Sequence, residues 1–174
     1  EGPDLLREMD QAGMLLDVTH LADQSFWEAL EIFSGPVLAS HHNCRALVNA
    51  DRQLADDQIK ALIARGAVIG AAFDCWMLQP DWVIGVTQPD TVTLETVCDH
   101  IDHVCQIAGN ASHAALGTDL DGGFGKEQSP RDLETIADLG QIGTILANRG
   151  YSAQDVQGIL YRNWVDFFYR AWGE

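Results

Sequence analysis

Residues 14–41, with the sequence MLLDVTHLADQSFWEALEIFSGPVLASH, decide the fold. The apolar run from Met14 to Thr19 predicts a buried strand, and the apolar positions from Asp23 to Phe33 recur with the period of a helix. Pro36–Ser40 predicts a second strand. Because a helical crossover returns the chain in its original direction, we expect these two strands to lie side by side and parallel.

The unit of strand, loop and helix occurs four times along the chain. Two further strands are predicted over Ala67–Phe73 and His113–Thr118. Helices are predicted over Asp4–Ala12, Asp56–Arg65, Thr93–Ala108, Pro130–Asn148, Ala153–Leu160 and Asn163–Ala171. Strands that alternate with helices form a parallel sheet covered by those helices. Four such units are half of a (β/α)8 TIM barrel, so we expect the α/β class and one partial domain over residues 1–174.

The composition restricts the class of function. Ten Lys and Arg against 26 Asp and Glu give the chain a formal charge of -16, which repels a phosphate backbone or an anionic membrane surface. No apolar run is long enough to span a bilayer. The four cysteines have no CxxC pairing and indicate small buried residues in a reducing compartment. We therefore expect a cytoplasmic protein that binds neither nucleic acid nor membrane.

Polar residues stand at the end of each predicted strand: His20, His41, Asp74 and Asp119. In a (β/α)8 barrel the carboxyl ends of the strands form the active-site face. Neighbouring strands place His20 and His41 side by side, and neutral imidazole is a preferred ligand of zinc. The alternative is a pair of histidines that form only backbone hydrogen bonds, and strand-end spacing leaves both interpretations open.

Two charged residues near the histidines are candidates for substrate chemistry. Asp119 precedes a glycine-rich turn, and a carboxylate there could transfer a proton to a leaving amine. Asp121 is better explained as a residue that holds the turn. Arg52 could bind a substrate carboxylate through its two-pronged guanidinium, or it could form a surface salt bridge with Asp51, Asp56 or Asp57.

Three nearby polar features have mainly structural interpretations. His42 points away from His41 if strand alternation persists. Asp17 is either a partner of a ligating histidine or a structural acid in the first strand. Asp99–His103 lies within a predicted helix and lacks the i, i+4 histidine spacing of a helical zinc site, so it indicates hydrogen bonding on the helix surface.

Five ordered motifs together resemble the membrane dipeptidase (renal dipeptidase) family, peptidase family M19, in its bacterial form. They are Leu16–His20, Ala39–Leu47, Asp51–Asp57, Asp99–His103 and Gly117–Gly122. The resemblance extends over essentially the whole chain. It implies a (β/α)8 barrel that holds two zinc ions and hydrolyses dipeptides through metal-activated water.

The resemblance also implies a role for each matched site residue. His20 and His41 would be ligands of one zinc ion. Arg52 would bind the free C-terminal carboxylate of the dipeptide, and Asp119 would be the catalytic acid and base that protonates the leaving amine. Zinc is therefore the cofactor, and a dipeptide the partner, that the resemblance implies.

The resemblance further predicts that part of the metal centre lies outside this chain. The family's His-x-Asp metal motif, its bridging glutamate and a further substrate-binding histidine come before the first residue here. We therefore expect the C-terminal half of the barrel, strands five to eight, with the isolated chain inactive. The alternatives are a non-catalytic half-barrel that is stable only on association, including self-association into a homo-oligomer, and another metal-dependent hydrolase such as a deaminase or lactonase.

Overall fold

A computed structural model describes residues 1–173, in which helices and strands alternate. The helices are α1 (Gly2–Gln11), α2 (Asp23–Ile32), α3 (Asp56–Ala64), α4 (Leu94–Ala108), α5 (Gln141–Asn148), α6 (Ala153–Gln157) and α7 (Asn163–Trp172). The strands are β1 (Leu16–Asp17), β2 (Val37–Leu38), β3 (Ile69–Ala71) and β4 (Ala114–Leu116). This order confirms the α/β class. Within the described range, no helix is both long and apolar enough to cross a bilayer.

The four strands are parallel and follow one another in chain order. β1 pairs with β2, and β3 pairs with β4. Just beyond β2, the Ala39 N–H donates to the Val68 carbonyl (3.0 Å), and the Gly70 N–H donates to the Ala39 carbonyl (2.9 Å), which joins the two pairs. The strands are shorter than the predicted runs, but all four end at the same edge, where the polar residues of the sequence lie.

Successive strand residues face opposite sides of the sheet, and both sides are covered. The main core lies between the sheet and the helices α2 to α5. Its fully buried members include Phe26, Phe33, Val37, Ile59, Leu62, Ile69, Val97, Ile101, Ile142 and Leu146. On the opposite side, Leu38, Val68 and Ala115 pack against Phe167 of α7. Coverage on both sides explains why the strand sequences are continuous apolar runs rather than alternating ones.

The C-terminal third departs from the predicted helices. The helix predicted over Pro130–Asn148 is wrong in its first half, because only α5 is α-helical and a 3-10 turn over Ile136–Gly140 precedes it. The segment before this turn instead caps the N-terminus of α4. The Asp132 carboxylate accepts the Leu94 N–H (3.0 Å), which has no partner inside its own helix. Farther along, a π-helical turn over Gly158–Arg162 joins α6 to α7 without the predicted break.

The cysteines agree with the prediction of small buried residues. All four are buried and none forms a disulfide. Burial raises the pKa of the Cys44 thiol to about 12, and it raises that of Cys75 to about 12 as well. At neutral pH these thiols are protonated, so they are weak nucleophiles and weak metal ligands.

The polar cluster Asp99–His103 divides between surface and core. Its two carboxylates form ion pairs with Arg149 at the surface of α4, as predicted. For His100 the predicted surface position is wrong, because the side chain is only 2% exposed. Its Nδ1 accepts the Cys44 backbone N–H (3.0 Å), so the imidazole fastens α4 to the loop after β2.

Acid should destabilise the protein through His100. Burial lowers its pKa from 6.5 to about 4, so the folded state requires the neutral ring, and stability is lost as the pH falls from about 6.5 towards 4. By pH 5 this one group should cost about 2 kcal/mol of unfolding free energy. Urea denaturation at pH 7 and pH 5 measures the loss. His100→Asn retains an acceptor near the Nδ1 position but does not titrate.

The comparison between wild type and His100→Asn isolates the imidazole, because carboxylates titrate equally in both proteins. The loss of stability between pH 7 and pH 5 should be about 2 kcal/mol smaller in the variant, whatever its stability at pH 7. Equal pH dependence in the two proteins would contradict the assignment of His100 as a buried neutral histidine.

Candidate active site

Two imidazoles face each other beyond the carboxyl ends of β1 and β2. His20 Nε2 lies 3.1 Å from His41 Nε2, and the ring planes are inclined at 66°. His20 reaches this position through a left-handed backbone conformation, with φ of 71°, which non-glycine residues seldom adopt. Such conformations persist where surrounding contacts compensate for them, and they are common at functional sites. The structure therefore brings together the two histidines identified from the strand ends.

His41 is a neutral imidazole near pH 7. Burial is the largest influence and lowers its pKa below the usual value. The Asp119 carboxylate opposes this effect, while the positive charge of Arg52 reinforces it. A neutral ring has one nitrogen with a free lone pair, which is the form that binds a metal ion.

The spacing of the two imidazoles fits two ligands of one zinc ion. Zinc–nitrogen distances at a tetrahedral angle place two ligand atoms about 3.3 Å apart. The two Nε2 atoms are 3.1 Å apart. Protein zinc sites use three or four protein ligands, and residues 1–173 contain no group of three or more His, Cys, Asp or Glu arranged to hold a metal. A zinc ion bound by this pair would therefore need further ligands.

Two glycines leave room for the Ser40–His41 peptide. A Cβ atom at Gly70 would lie 2.2 Å from the Ser40 carbonyl oxygen, and one at Gly117 would lie 1.9 Å from the same atom. Non-bonded atoms do not approach so closely. The peptide before His41 therefore lies over β3 and β4 only because both positions lack a side chain.

Asp119 lies beside His41 on the loop that follows β4. Its Oδ2 is 3.9 Å from His41 Nε2. The backbone of Asp119 is left-handed, with φ of 58°, and the Gly122 N–H donates to its carbonyl (2.8 Å) to close a turn. A Cβ atom at Gly122 would lie 2.3 Å from Asp119 Oδ1, so this glycine accommodates the carboxylate. Asp121, on the same turn, is exposed.

Arg52 reaches the same region from the loop between β2 and α3. Its Nη2 donates to the His41 carbonyl (3.0 Å), whereas its Nη1 is buried and has no hydrogen-bond partner among residues 1–173. In the described part of the chain, the predicted alternative of a salt bridge to a neighbouring aspartate is not observed, and Asp56 pairs with His103 instead. Burial lowers the pKa of the guanidinium below its usual value. Arg52 thus presents an unused donor next to the imidazole pair.

Asp74 is a further candidate site residue. Its position in the sequence is at a strand end, but the sequence alone assigns it no role. The Phe73 N–H donates to the Thr118 carbonyl (3.1 Å), so Asp74 and Asp119 leave adjacent strands side by side. Asp74 is 6% exposed, and its Oδ1 accepts a hydrogen bond from Gln128 (2.7 Å). Burial raises its pKa, and the nearby Asp119 adds to the effect. Its position directly after β3 is the signal by which sequence reasoning could have included it.

His42 differs from its neighbour His41 in environment. It is 5% exposed, and within the part of the chain that the structure describes neither ring nitrogen has a hydrogen-bond partner. Burial lowers its pKa to about 3, and the charge of Arg52 contributes. The ring is therefore neutral, and its buried donor and acceptor are unused, as is Nη1 of Arg52.

The fold and the site define an α/β protein with paired histidines and a carboxylate at the carboxyl ends of its strands. The family model for membrane dipeptidase, peptidase family M19, matches residues 1–173. The chain belongs to this family. An uncharacterized protein of Klebsiella pneumoniae, in the pqqA 5′ region, is 32% identical over 171 residues, which are 98% of this chain and 60% of that protein.

Two further relatives bear on function and fold. The dipeptidase tcpJ of Claviceps purpurea is 30% identical over 163 residues, which are 94% of this chain and 36% of that protein. A metallo peptidase from Rhodobacter sphaeroides, solved with a phosphinate mimic of the dipeptide L-Ala-D-Ala, matches with a TM-score of 0.86. It is 24% identical, and the match covers 98% of this chain and 46% of that structure. The chain therefore spans between about a third and three fifths of the relatives it matches.

Proposed function

We propose that this chain contributes to a zinc-dependent dipeptidase and provides strands five to eight of a (β/α)8 barrel. Four parallel strands in chain order support the half-barrel, since a closed barrel of this type has eight. The coverage of 46% of the Rhodobacter sphaeroides metallo peptidase at a TM-score of 0.86 is what a half-barrel predicts.

His20 and His41 would hold one zinc ion through their Nε2 atoms, with the remaining ligands supplied from outside residues 1–173. Zinc in such a site polarises a carbonyl group and activates water. The burial of His41 keeps its ring neutral, and the left-handed backbone of His20 directs the second ring towards it. These two residues would therefore provide two oriented imidazole rings whose nitrogen lone pairs bind the zinc ion.

The buried, unpartnered Nη1 of Arg52 is the single observation that best supports a dipeptide substrate. A free C-terminal carboxylate would accept a hydrogen bond from this donor and pair with its charge. Asp119, 3.9 Å from His41, would then protonate the leaving amine, because its carboxyl group lies beside the metal-binding pair. The positive charge of Arg52 therefore favours a substrate with a free carboxylate over the deaminase and lactonase alternatives.

Replacing Arg52 should slow the hydrolysis of a dipeptide with a free C-terminal carboxylate more than the hydrolysis of the corresponding amide. In Arg52→Gln, kcat/KM for L-Ala-D-Ala should fall about 100-fold, since truncation of a buried charge partner typically costs 2–5 kcal/mol. Hydrolysis of the C-terminal amide of the same dipeptide should change little, because it lacks the charge that Arg52 pairs with. The measurement is steady-state kinetics on the zinc-loaded protein that carries this chain.

Arg131→Gln is the matched control, because Arg131 is exposed and its guanidinium donates to a backbone carbonyl, that of Asp90 (3.0 Å). It should leave both substrates unaffected. An equal loss for acid and amide in Arg52→Gln would assign Arg52 a structural role. No hydrolysis of either substrate by the zinc-loaded wild type would exclude the dipeptidase proposal.

A further inference from the structure

A hydrogen-bond network lies directly behind the two imidazoles. Asp17 Oδ1 accepts the N–H groups of Thr19 and Ser40, each at 3.0 Å. These bonds continue the connection between β1 and β2 beyond their last backbone bond, from the Val18 N–H to the Leu38 carbonyl (2.9 Å). One carboxylate oxygen therefore fastens the backbone just before each histidine.

Two hydroxyl groups connect this carboxylate to His41. Ser40 Oγ lies 2.8 Å from His41 Nδ1 and donates to Thr19 Oγ1 at 3.4 Å. Thr19 Oγ1 also accepts the His41 backbone N–H (3.4 Å). The ring of His41 thus has a partner on each nitrogen, with Ser40 on Nδ1 and His20 on Nε2.

A count of protons determines the direction of the bond between Ser40 and His41. A hydroxyl group has one proton to donate. Burial tends to raise the pKa of Asp17, but hydrogen bonds from Ser40 and Thr19 outweigh it and leave the pKa below its usual value. The Ser40 hydroxyl donates its one proton to Thr19 Oγ1 (3.4 Å), and this proton is then unavailable to His41 Nδ1. Ser40 Oγ is then the acceptor of a hydrogen bond from the His41 Nδ1–H (2.8 Å).

We propose that Asp17, Thr19 and Ser40 are positioning residues that hold His41 as the Nδ1–H tautomer, with the lone pair of Nε2 directed at the space shared with His20. The role of this lone pair as a metal ligand depends on the proposed function, but the tautomer itself does not. The opposite arrangement, in which Ser40 donates to Nδ1, would place a proton on Nε2 and block it as a ligand. An outer partner that fixes the tautomer of a ligand histidine typically contributes 10–100-fold to metal affinity.

The experiment measures the tautomer in the metal-free protein. Nitrogen-15 NMR correlations of the imidazole ring should show the proton on Nδ1 of His41 in the wild type. In Ser40→Ala a substantial fraction of the ring should change to the Nε2–H form, and Ser40→Thr, which retains the hydroxyl, should preserve the wild-type state. Ser129→Ala removes another buried serine hydroxyl, bonded to the Gly125 carbonyl, and should have no effect on His41.

Titration with ZnCl2 provides the second measurement. Ser40→Ala should bind Zn²⁺ 10–100-fold more weakly than the wild type while its circular dichroism spectrum is unchanged. A proton on Nε2 in the wild type, or an unchanged tautomer in Ser40→Ala, would overturn the proposal. An Nδ1–H tautomer in a wild type that fails to bind Zn²⁺ would instead count against the proposed function and leave the positioning role supported.

Discussion

Gly117→Ala is expected to lose more than about 3 kcal/mol of unfolding free energy, because the added methyl group meets backbone on two sides. Its Cβ would lie 1.9 Å from the Ser40 carbonyl oxygen and 2.9 Å from the Gly70 Cα. Both contacts are with main chain, so no side-chain rotation can relieve them. Relief requires β4 to move away from β3, or the peptide before His41 to move off the sheet. Urea denaturation monitored by circular dichroism measures the loss.

Gly140→Ala is the matched control for this substitution. Gly140 has helical backbone angles at the start of α5, and a Cβ there would meet no atom within 4 Å. Replacing a glycine in an unstrained conformation usually stabilises a protein by about 0.4–1 kcal/mol, through the unfolded state. If Gly117→Ala were as stable as Gly140→Ala, the close packing of Ser40 over the two glycines would be contradicted.

These glycines also show what the sequence could not predict. A glycine within a strand suggests only a weak strand or a close approach by another group. The partner of Gly70 and Gly117 is the Ser40 carbonyl, which lies just beyond β2 and is 30 or more residues away along the chain. The local sequence pattern contains no information about which distant backbone segment packs against a glycine. The packing of the peptide before His41 on Gly70 and Gly117 therefore follows only from the assembled sheet.

The paired histidines, by contrast, could be located from sequence. Strand ends in a parallel sheet share one edge, so two strands that each end before a histidine must place these residues close together. His100 shows where this reasoning fails. Its spacing from Val97 and Val104 places it on the buried face of α4, but the helical period does not reveal that the ring accepts the Cys44 N–H, a bond across 56 residues. Long-range hydrogen bonds to loop backbone have no local sequence pattern.

The difference between local pattern and long-range contact also explains why the helix predicted over Pro130–Asn148 is wrong in its first half. The apolar period within this segment is genuine, and α5 occupies its second half. Its first half is held in another conformation because Asp132 caps the distant helix α4. A capping carboxylate satisfies an N–H that would otherwise be unpaired, and this contribution is absent from any intrinsic helix propensity. Tertiary contacts therefore decided the boundary.

His41→Ala is expected to weaken Zn²⁺ binding by the protein that carries this chain, with affinity falling more than about 100-fold. Loss of an outer partner alone costs 10–100-fold, and this substitution deletes a ligand atom itself. Only His20 would remain of the pair whose Nε2 atoms are 3.1 Å apart, and a single imidazole retains little of the affinity of two. Calorimetric titration of the metal-stripped protein with ZnCl2 gives the affinity and the stoichiometry, and His20→Ala should behave in the same way.

His103→Ala provides the control that separates the site from general zinc binding by histidine. His103 lies on α4, and its Nε2 is 2.8 Å from Asp56 Oδ1, so this imidazole pairs with a carboxylate rather than with another imidazole. The His103→Ala variant should bind Zn²⁺ with the same affinity as the wild type. Equal losses in His103→Ala and His41→Ala would mean that Zn²⁺ binds at scattered surface groups. Undiminished binding in both His20→Ala and His41→Ala would place the metal elsewhere and remove the basis for assigning these strand ends as half of a zinc centre.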